Sequence, residues 1–211
     1  MVTAWKFDSQ VAANFADHAR KHIPNYDQVI QQTVDVCEQL LPAGAKIIDV
    51  GCAIGETLRR LHHNGFTNLY GVDSSKEMLK HCDSQLAQLT CQSTWPAPWG
   101  QFDAVICNWT LHFIKNKAEY LAELARSVDD SGLLILTDKI SLDPVLINLY
   151  HQEKLRAGAG RQEIELKEKQ VQGVMFIHSR DWYLDTLHSL GFSKIDVINA
   201  SWCFNTFLAR R

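Results

Sequence analysis

The chain has 211 residues, of which 46% are hydrophobic and 21% are charged, and its formal net charge is −3. A chain of this length and composition can bury a core as one domain, which excludes a disordered protein. A membrane-spanning helix needs about 18 consecutive apolar residues, and no apolar run in the sequence approaches that length. The N-terminus lacks the basic region followed by an apolar region that is typical of a secretory signal. The slightly acidic charge gives no support for broad nucleic-acid binding.

The cysteines are scattered and never form a CxxC pair, so neither a disulfide framework nor a metal finger is expected. We interpret them as buried, reduced packing residues of a cytoplasmic protein. The six are Cys37, Cys52, Cys82, Cys91, Cys107 and Cys203.

In chain order, amphipathic helices come first and then alternate with short apolar strands, which predicts helices packed on a mostly parallel sheet. The first two helices are predicted over residues 8–22 and 26–41. The alternating part predicts strands over 46–50, 68–72, 89–93, 102–108 and 133–137, with helices over 56–63, 75–87 and 118–128 between them.

The last third of the chain interrupts this alternation. Residues 141–178 are predicted to be helical, as a solvated insertion or as a lid or dimer contact. A helix over 180–190 and a hairpin of strands 192–199 and 202–209, joined at Ala200 and Ser201, follow. The prediction is one α/β domain over 1–211, with a doubly wound, seven-stranded, mostly parallel sheet and an antiparallel C-terminal edge strand. Its helical additions are residues 1–44 and 141–178.

The strand over 46–50 runs into a glycine turn and then a helix, which is where a doubly wound sheet binds its ligand. Gly51 allows a tight turn and the close approach of a ligand, and Gly55 permits close packing of the helix start. Asp73 lies 22 residues after Gly51, at the end of the second strand. A carboxylate there can bind both hydroxyls of a ribose, so the pattern predicts a cofactor that contains a nucleoside.

Charge distinguishes between two cofactor classes that fit this pattern. A dinucleotide site uses G-x-G-x-x-G, with the pyrophosphate on the helix N-terminus, but here Ala53 replaces the second glycine. Asp49 and Glu56 flank the loop, where they would repel a pyrophosphate and attract the sulfonium and ammonium groups of S-adenosylmethionine (SAM). SAM is therefore favoured over a dinucleotide, and a sheet that binds nothing at this point is the remaining alternative.

Blocks spread over nearly the whole chain resemble one group of enzymes. The segment D-V-G-C-A-I-G at 49–55 resembles motif I of class I SAM-dependent methyltransferases, and G-V-D-S at 71–74 resembles their ribose-binding strand end. The chain is more similar still to the carboxy-SAM synthase (CmoA-type) family of tRNA wobble-uridine modification. Besides motif I, the similar blocks are residues 5–8, 11–12, 23–26, 108–113, 138–141, 187–192 and 202–205.

The resemblance implies which residues contact the cofactor. Asp73 is expected on the ribose, Asn108 on the amino-acid part and Tyr26 over the sulfonium by a cation–π contact. Their alternatives are a helix cap, a strand-end turn and a packing contact, respectively. The full predicted set is Tyr26, Asp49, Gly51, Cys52, Ala53, Gly55, Asp73, Ser74, Met78, Ser93, Thr94 and Asn108.

Two positions depart from the family. Its adenine-binding acid falls on Ser93, which can still hydrogen-bond adenine together with Thr94. Its carboxylate-binding arginine falls on Thr186, which is neutral. The favoured function is therefore methyl transfer from SAM to an unidentified small-molecule acceptor, leaving S-adenosylhomocysteine. A carboxy-SAM synthase and a non-catalytic SAM-binding protein are the alternatives.

The catalytic residue stays open, because SAM is already reactive and positioning does most of the work in methyl transfer. His112 and His188 are candidates for proton handling, and Trp109 for lining an acceptor pocket. The resemblance implies a homodimer, and neither a nucleic acid nor a membrane is expected as a direct partner.

No metal site is predicted. His18 and His22 have the i, i+4 spacing of helical metal ligands, and His62 and His63 are adjacent. We interpret all four as surface helix histidines.

Overall fold

Strands and helices alternate through most of the chain, as the apolar periodicity predicts. This computed structural model describes residues 6–93 and 100–211. The strands are β1 (Ile47–Val50), β2 (Leu69–Asp73), β3 (Gln88–Cys91), β4 (Phe102–Asn108), β5 (Val128–Lys139), β6 (Lys194–Ser201) and β7 (Phe204–Arg210). The helices are α1 (Ser9–Ala13), α2 (Phe15–His22), α3 (Tyr26–Leu40), α4 (Glu56–His63), α5 (Lys76–Leu79), α6 (Lys117–Arg126), α7 (Pro144–Arg156), α8 (Arg161–Val171) and α9 (Arg180–Ser189).

The seven strands form one sheet in the order β3-β2-β1-β4-β5-β7-β6, which confirms the predicted doubly wound fold. β7 runs antiparallel to both of its neighbours, and the other pairs are parallel. The predicted antiparallel C-terminal strand is therefore present as β7, but it lies next to the edge strand, β6, and not at the edge itself. The chain order reverses between β1 and β4, and such a switch point opens a crevice at the carboxyl ends of the strands.

Helices cover both faces of the sheet. Leu121 of α6 and Tyr183 of α9 lie in the core cluster on one face. Val34 of α3 and Leu61 of α4 lie in the cluster on the other. Every residue of β1 is buried, which is why this strand has no polar face and reads as a continuous apolar run broken only by Asp49.

Two predicted helices are shorter than expected. The helix over 8–22 divides at Asn14 into α1 and α2. The helix over 75–87 ends after Leu79, although Ser75 caps its start as expected. The Asp83 carboxylate accepts a hydrogen bond from the backbone N–H of Gln85 (2.9 Å). Such local side-chain bonds compete with the helix and stabilise turns instead.

The C-terminal hairpin turns two residues later than predicted. β6 continues through Ala200 and Ser201, and Trp202 and Cys203 form the turn. Trp202 has φ +50°, the left-handed conformation that tight hairpin turns require.

The insertion at 141–178 contains two helices, α7 and α8, separated by residues 157–160. α7 leaves apolar side chains exposed, among them Val145 (70%) and Leu149 (47%). Of the six free cysteines, Cys91 is exposed and Cys82 half-buried, so the expectation that all are buried is wrong for these two. Within the described residues, no helix has the length and apolar composition needed to cross a membrane.

Candidate cofactor and acceptor site

The loop after β1 forms the floor of a cavity at the switch point of the sheet. Gly51 has φ +77°, and its N–H donates to the Val72 carbonyl (2.7 Å). A Cβ added at Gly51 would lie 1.9 Å from Thr110 Oγ1. Only glycine therefore fits this turn, for steric and conformational reasons together.

Asp73 connects the loop after β1 to the loop after β2. Its Oδ2 accepts the Ala53 N–H (2.9 Å) and its Oδ1 accepts the Ser75 N–H (2.8 Å). Burial raises the pKa of Asp73, while these backbone bonds oppose the shift. An ionised carboxylate has about four acceptor positions. Asp73 also lines the cavity, so the remaining positions fit ribose hydroxyls.

Asp49 adds a second carboxyl to the same cavity. It is 3% exposed, and burial and the charge of Asp73 raise its pKa to about 7, while Thr57 acts against the shift. A cationic ligand beside Asp49 would stabilise its ionised form and lower that pKa.

Glu56 also lines the cavity, but its charge is largely offset. It pairs with Arg59 and, at 3.1 Å, with Arg60. The attraction predicted for the two acids that flank the loop therefore falls mainly to Asp49.

Asn108, at the end of β4, presents an unpaired acceptor to the cavity. Its Nδ2 donates to Thr33 Oγ1 (3.3 Å), and Oδ1 is buried without a hydrogen-bond partner in the described structure. Thr33 in turn donates to the Val29 carbonyl (2.9 Å), which fixes the orientation of its hydroxyl. A buried acceptor without a partner costs free energy, so this oxygen fits a ligand ammonium group.

Tyr26 and Trp109 form one wall. Their ring centroids are 4.8 Å apart in a stacked arrangement, and both residues line the cavity. Trp109 is held at φ +57°, a conformation that non-glycine residues rarely adopt. Tyr26 is thus both packed and available to a cation, so the two interpretations of this residue are compatible.

Most of the predicted cofactor residues meet at this cavity. Gly55 is not among its lining residues: it caps the start of α4 and packs against Cys82. Thr94 lies outside the described residues. Residues brought together here are Tyr26, Asp49, Gly51, Cys52, Ala53, Asp73, Ser74, Met78, Ser93 and Asn108. Lining residues that were not predicted individually include Phe7, Phe15, Thr110, Phe113 and Tyr120. Phe7, Thr110 and Phe113 lie in the family-like blocks 5–8 and 108–113, which could have indicated them, whereas Phe15 and Tyr120 lie in none of these blocks.

A second cavity adjoins the first. The residues common to both linings are Phe7, Phe15, Ile23, Trp109 and Phe113. Trp109, predicted to line an acceptor pocket, lies between the two cavities.

Lysines give the second cavity a cationic lining. Lys139, Lys154 and Lys167 all border it, and Glu168 is the acidic residue among its described lining. Lys154 is buried and pairs with Glu168 at 3.6 Å. Burial and the charges of Lys154 and Lys139 lower the pKa of Lys167 to about 6. Burial and the neighbouring lysine charges disfavour protonation of Lys154 and Lys167, and an anionic ligand would relieve that cost.

His112 lies in the second cavity and is oriented by a buried carboxylate. Its Nδ1 hydrogen-bonds Asp138 Oδ1, which also accepts the His112 backbone N–H (3.0 Å). Asp138 further accepts a bond from Tyr183 and one from Lys117 (3.1 Å). Burial acts to raise the pKa of Asp138, but its interactions with His112, Lys117 and Tyr183 outweigh burial and lower the pKa.

This arrangement fits a proton acceptor. A carboxylate that holds one imidazole nitrogen leaves the other, Nε2, to accept a proton from a bound molecule. Asp138, Lys117 and Tyr183 were not predicted as site residues, because they lie in three different elements, β5, α6 and α9, that only tertiary packing brings together. Lys117 and Tyr183 lie 66 residues apart in the sequence, so no sequence pattern indicates that they meet.

Two predicted positions do not reach either cavity. His188 is exposed and its Nδ1 bonds the Phe192 carbonyl (3.2 Å), so its expected place near the cleft is wrong. Thr186 donates to the Trp182 carbonyl (2.6 Å) within α9.

The histidines of α2 also differ from expectation. His22 is 6% exposed and lines the second cavity with His18, so neither is a simple surface histidine. Burial lowers the pKa of His22, and it lowers that of His18 to about 4.

Comparison with known proteins agrees with this geometry. A family model described as a methyltransferase domain matches residues 48–136, which include motif I, Asp73 and Asn108. The match covers 89 of the 211 residues of the chain. Together with the fold, this similarity indicates a class I SAM-dependent methyltransferase-like transferase, and SAM or S-adenosylhomocysteine is the matching cofactor, as predicted.

Full-length relatives are similar over nearly the whole methyltransferase-like chain. A carboxy-S-adenosyl-L-methionine synthase of Campylobacter jejuni subsp. doylei is 29% identical over 97% of this chain and 93% of its own. One from Actinobacillus pleuropneumoniae serotype 5b is 26% identical over 94% and 89%.

Solved structures show the same fold. A SAM-dependent methyltransferase from Aquifex aeolicus superposes with a TM-score of 0.63 at 16% identity, covering 97% of this chain and 98% of its own. Magnesium protoporphyrin IX methyltransferase from Synechocystis, with bound S-adenosylhomocysteine, gives 0.62 at 20% identity over 94% of each chain.

Proposed function

We propose that this protein transfers a methyl group from SAM to a small anionic acceptor, with SAM in the first cavity and the acceptor in the second. The observation that supports this best is the pair of adjoining cavities, which share Trp109 and whose linings are acidic on one side and lysine-rich on the other. A cationic donor and an anionic acceptor would each be attracted to its own side.

The side chains of the two cavities have separate roles in this reaction. Asp73 binds the ribose, Asn108 Oδ1 accepts from the ammonium group, and Asp49 offsets the positive charge. SAM supplies the methyl group on its sulfonium and leaves as S-adenosylhomocysteine. His112 accepts the proton that an acceptor hydroxyl or amine loses as its bond to the methyl carbon forms, and Asp138 stabilises the resulting imidazolium.

The test is release of S-adenosylhomocysteine from a panel of hydroxyl- and amine-bearing compounds, each offered with and without a carboxylate. We expect turnover for carboxylate-bearing acceptors only. His112→Asn should lower kcat by about 10²–10⁴-fold and leave SAM affinity unchanged. His188→Asn, which alters an exposed histidine, is the matched control. If SAM binds but no acceptor in the panel is methylated, the chain is a non-catalytic SAM-binding protein.

A carboxy-SAM synthase that acts in tRNA wobble-uridine modification is the second candidate. The names and coverage of the relatives favour it. The position of the family arginine weighs against it, because Thr186 is neutral and lies outside both cavities. Arg156 of α7 does not supply this charge to the first cavity, because its side chain is exposed and pairs with Glu153 (3.2 Å). The first cavity has no Lys, Arg or His among its described lining residues.

Calorimetry with SAM and carboxy-SAM side by side separates the two candidates. We expect SAM to bind at least as tightly as carboxy-SAM, since a carboxylate taken into an acidic cavity needs a compensating cation. Carboxy-SAM binding tenfold or more tighter, or its recovery by mass spectrometry from the purified protein, would establish the synthase instead.

The proposal includes a cytoplasmic homodimer that contacts neither a nucleic acid nor a membrane directly. The apolar side chains exposed on α7, which include Val145, Leu146 and Leu149, support a contact between copies. The net charge of −3 supports a small molecule rather than a nucleic acid as the acceptor.

A further inference from the structure

Two helices far apart in sequence bring three metal-binding residue types together. His18 and His22 lie one turn apart on α2, and Glu163 lies in the first turn of α8. Glu163 Oε1 is 2.8 Å from His22 Nε2 and 3.8 Å from His18 Nδ1. One ligand atom from each residue lies within 4.8 Å of the others.

These separations match a tetrahedral ion. Zn²⁺ binds imidazole nitrogen and carboxylate oxygen at about 2.0–2.2 Å, which places neighbouring ligand atoms roughly 3.4 Å apart. The two measured separations bracket this value, so small rotations of Glu163 suffice. The two imidazole rings lie 4.2 Å apart at 32°, so both project from the same face of α2.

We propose that His18, His22 and Glu163 bind a divalent transition-metal ion of the Zn²⁺ class at the contact between α2 and α8. Imidazole and carboxylate ligands suit Zn²⁺ and its neighbours better than Mg²⁺ or Ca²⁺. Three protein ligands leave a fourth position for water or an exogenous ligand. Because both histidines line the second cavity, this position opens toward it. The ion would also fix α8 on α2.

The surrounding charges oppose a cation only in part. Lys21, Lys154 and Lys167 act electrostatically on the two histidines. Lys154 is paired with Glu168 at 3.6 Å, which offsets the charge of this lysine. Glu163 contributes a full negative charge directly at the site.

Zinc titration of the chelator-treated protein tests this site without reference to catalysis. Calorimetry should show one Zn²⁺ per chain, and Zn²⁺ should raise the melting temperature. Co²⁺ should give the visible absorption of a tetrahedral site. Glu163→Gln removes the charged ligand from a half-exposed position, so the variant should fold, and it should lose at least tenfold in zinc affinity together with the thermal shift.

His151→Ala is the matched control. His151 is also paired with a glutamate, with its Nε2 2.7 Å from Glu168 Oε1, but no second histidine joins it in a cluster within the described residues. We expect wild-type zinc affinity for this variant. The proposal is wrong if zinc binds without one-to-one saturation, if Glu163→Gln loses less than tenfold, or if His151→Ala loses as much as Glu163→Gln.

Discussion

The two cavities meet at one aromatic wall but differ in charge and in origin. The first has Asp49, Glu56 and Asp73 and no basic side chain among its described lining residues. The second has three lysines and three histidines against Glu168. The first is built from loops at the ends of neighbouring strands, whereas the second joins α2, α7 and α8 to the sheet. Under the proposed function, cofactor binding would belong to the fold and acceptor choice to its helical additions.

Gly51→Val should break the first cavity and leave the second intact. The new side chain would meet Thr110 Oγ1 at 1.9 Å and would need a positive φ. We expect SAM binding to be lost in calorimetry while the sheet still folds by circular dichroism.

Gly65→Val is the control for the strain of a positive φ. Gly65 has φ +93°, but a Cβ there meets nothing within 4 Å. This variant should lose stability of about 1–2 kcal/mol and keep wild-type SAM affinity. SAM binding by Gly51→Val with normal affinity would mean that the loop is not the cofactor site.

Asp73→Ala should weaken SAM binding by about 1.5–3 kcal/mol, because it removes charge-assisted hydrogen bonds to the ribose. Asp103→Ala is the matched control. The Asp103 carboxylate also accepts a hydrogen bond from a backbone N–H, that of Lys46 (2.7 Å), but Asp103 lies outside both cavities. Calorimetry of the two variants separates loss of the ribose contact from general loosening of a loop. Equal SAM affinities for Asp73→Ala and wild type would remove Asp73 from the site.

The pH dependence of SAM affinity sharpens the electrostatic contrast. The pKa of Asp49 is raised to about 7, so its carboxyl is neutral at lower pH and charged above. SAM affinity should therefore rise with pH from about 5.5 to 7, by at most about tenfold per unit. Asp49→Asn should flatten this profile in calorimetric titrations. A wild-type affinity that stays level or falls over this range would contradict a role for Asp49.

The sequence predicts the first cavity well because its signals are local. Gly51 and Asp73 each follow directly from a strand, and parallel strands bring their carboxyl ends to one edge. Gly55 was misplaced because the same spacing fits a helix cap and a ligand contact equally well. The C-terminal strand was predicted at the edge of the sheet, whereas β7 lies one position in and β6 forms the edge, because a hairpin fixes the pairing of its strands but not which of them joins the sheet.

The second cavity could not be predicted in the same way. Its lysines are single residues in separate elements, and only tertiary packing brings Lys139 of β5 close to Lys167 of α8. Asp138 directly follows the predicted strand 133–137, and its three buried partners come from other parts of the chain. His22 was predicted at the surface but is buried, and His188 was predicted near the cleft but is exposed. Helical periodicity alone does not show which face of a helix another helix covers.

Calorimetry with two ligands and two variants tests the opposed charges of the cavities most directly. SAM and benzoate, an aromatic carboxylate, would be titrated at about pH 8, where Asp49 is ionised, into wild type, Asp49→Asn and Lys154→Met. We predict that Asp49→Asn weakens SAM and spares benzoate, and that Lys154→Met weakens benzoate and spares SAM. Loss of SAM affinity in Lys154→Met comparable to that in Asp49→Asn, or benzoate binding unaffected by Lys154→Met, would contradict the assignment of donor and acceptor to separate cavities.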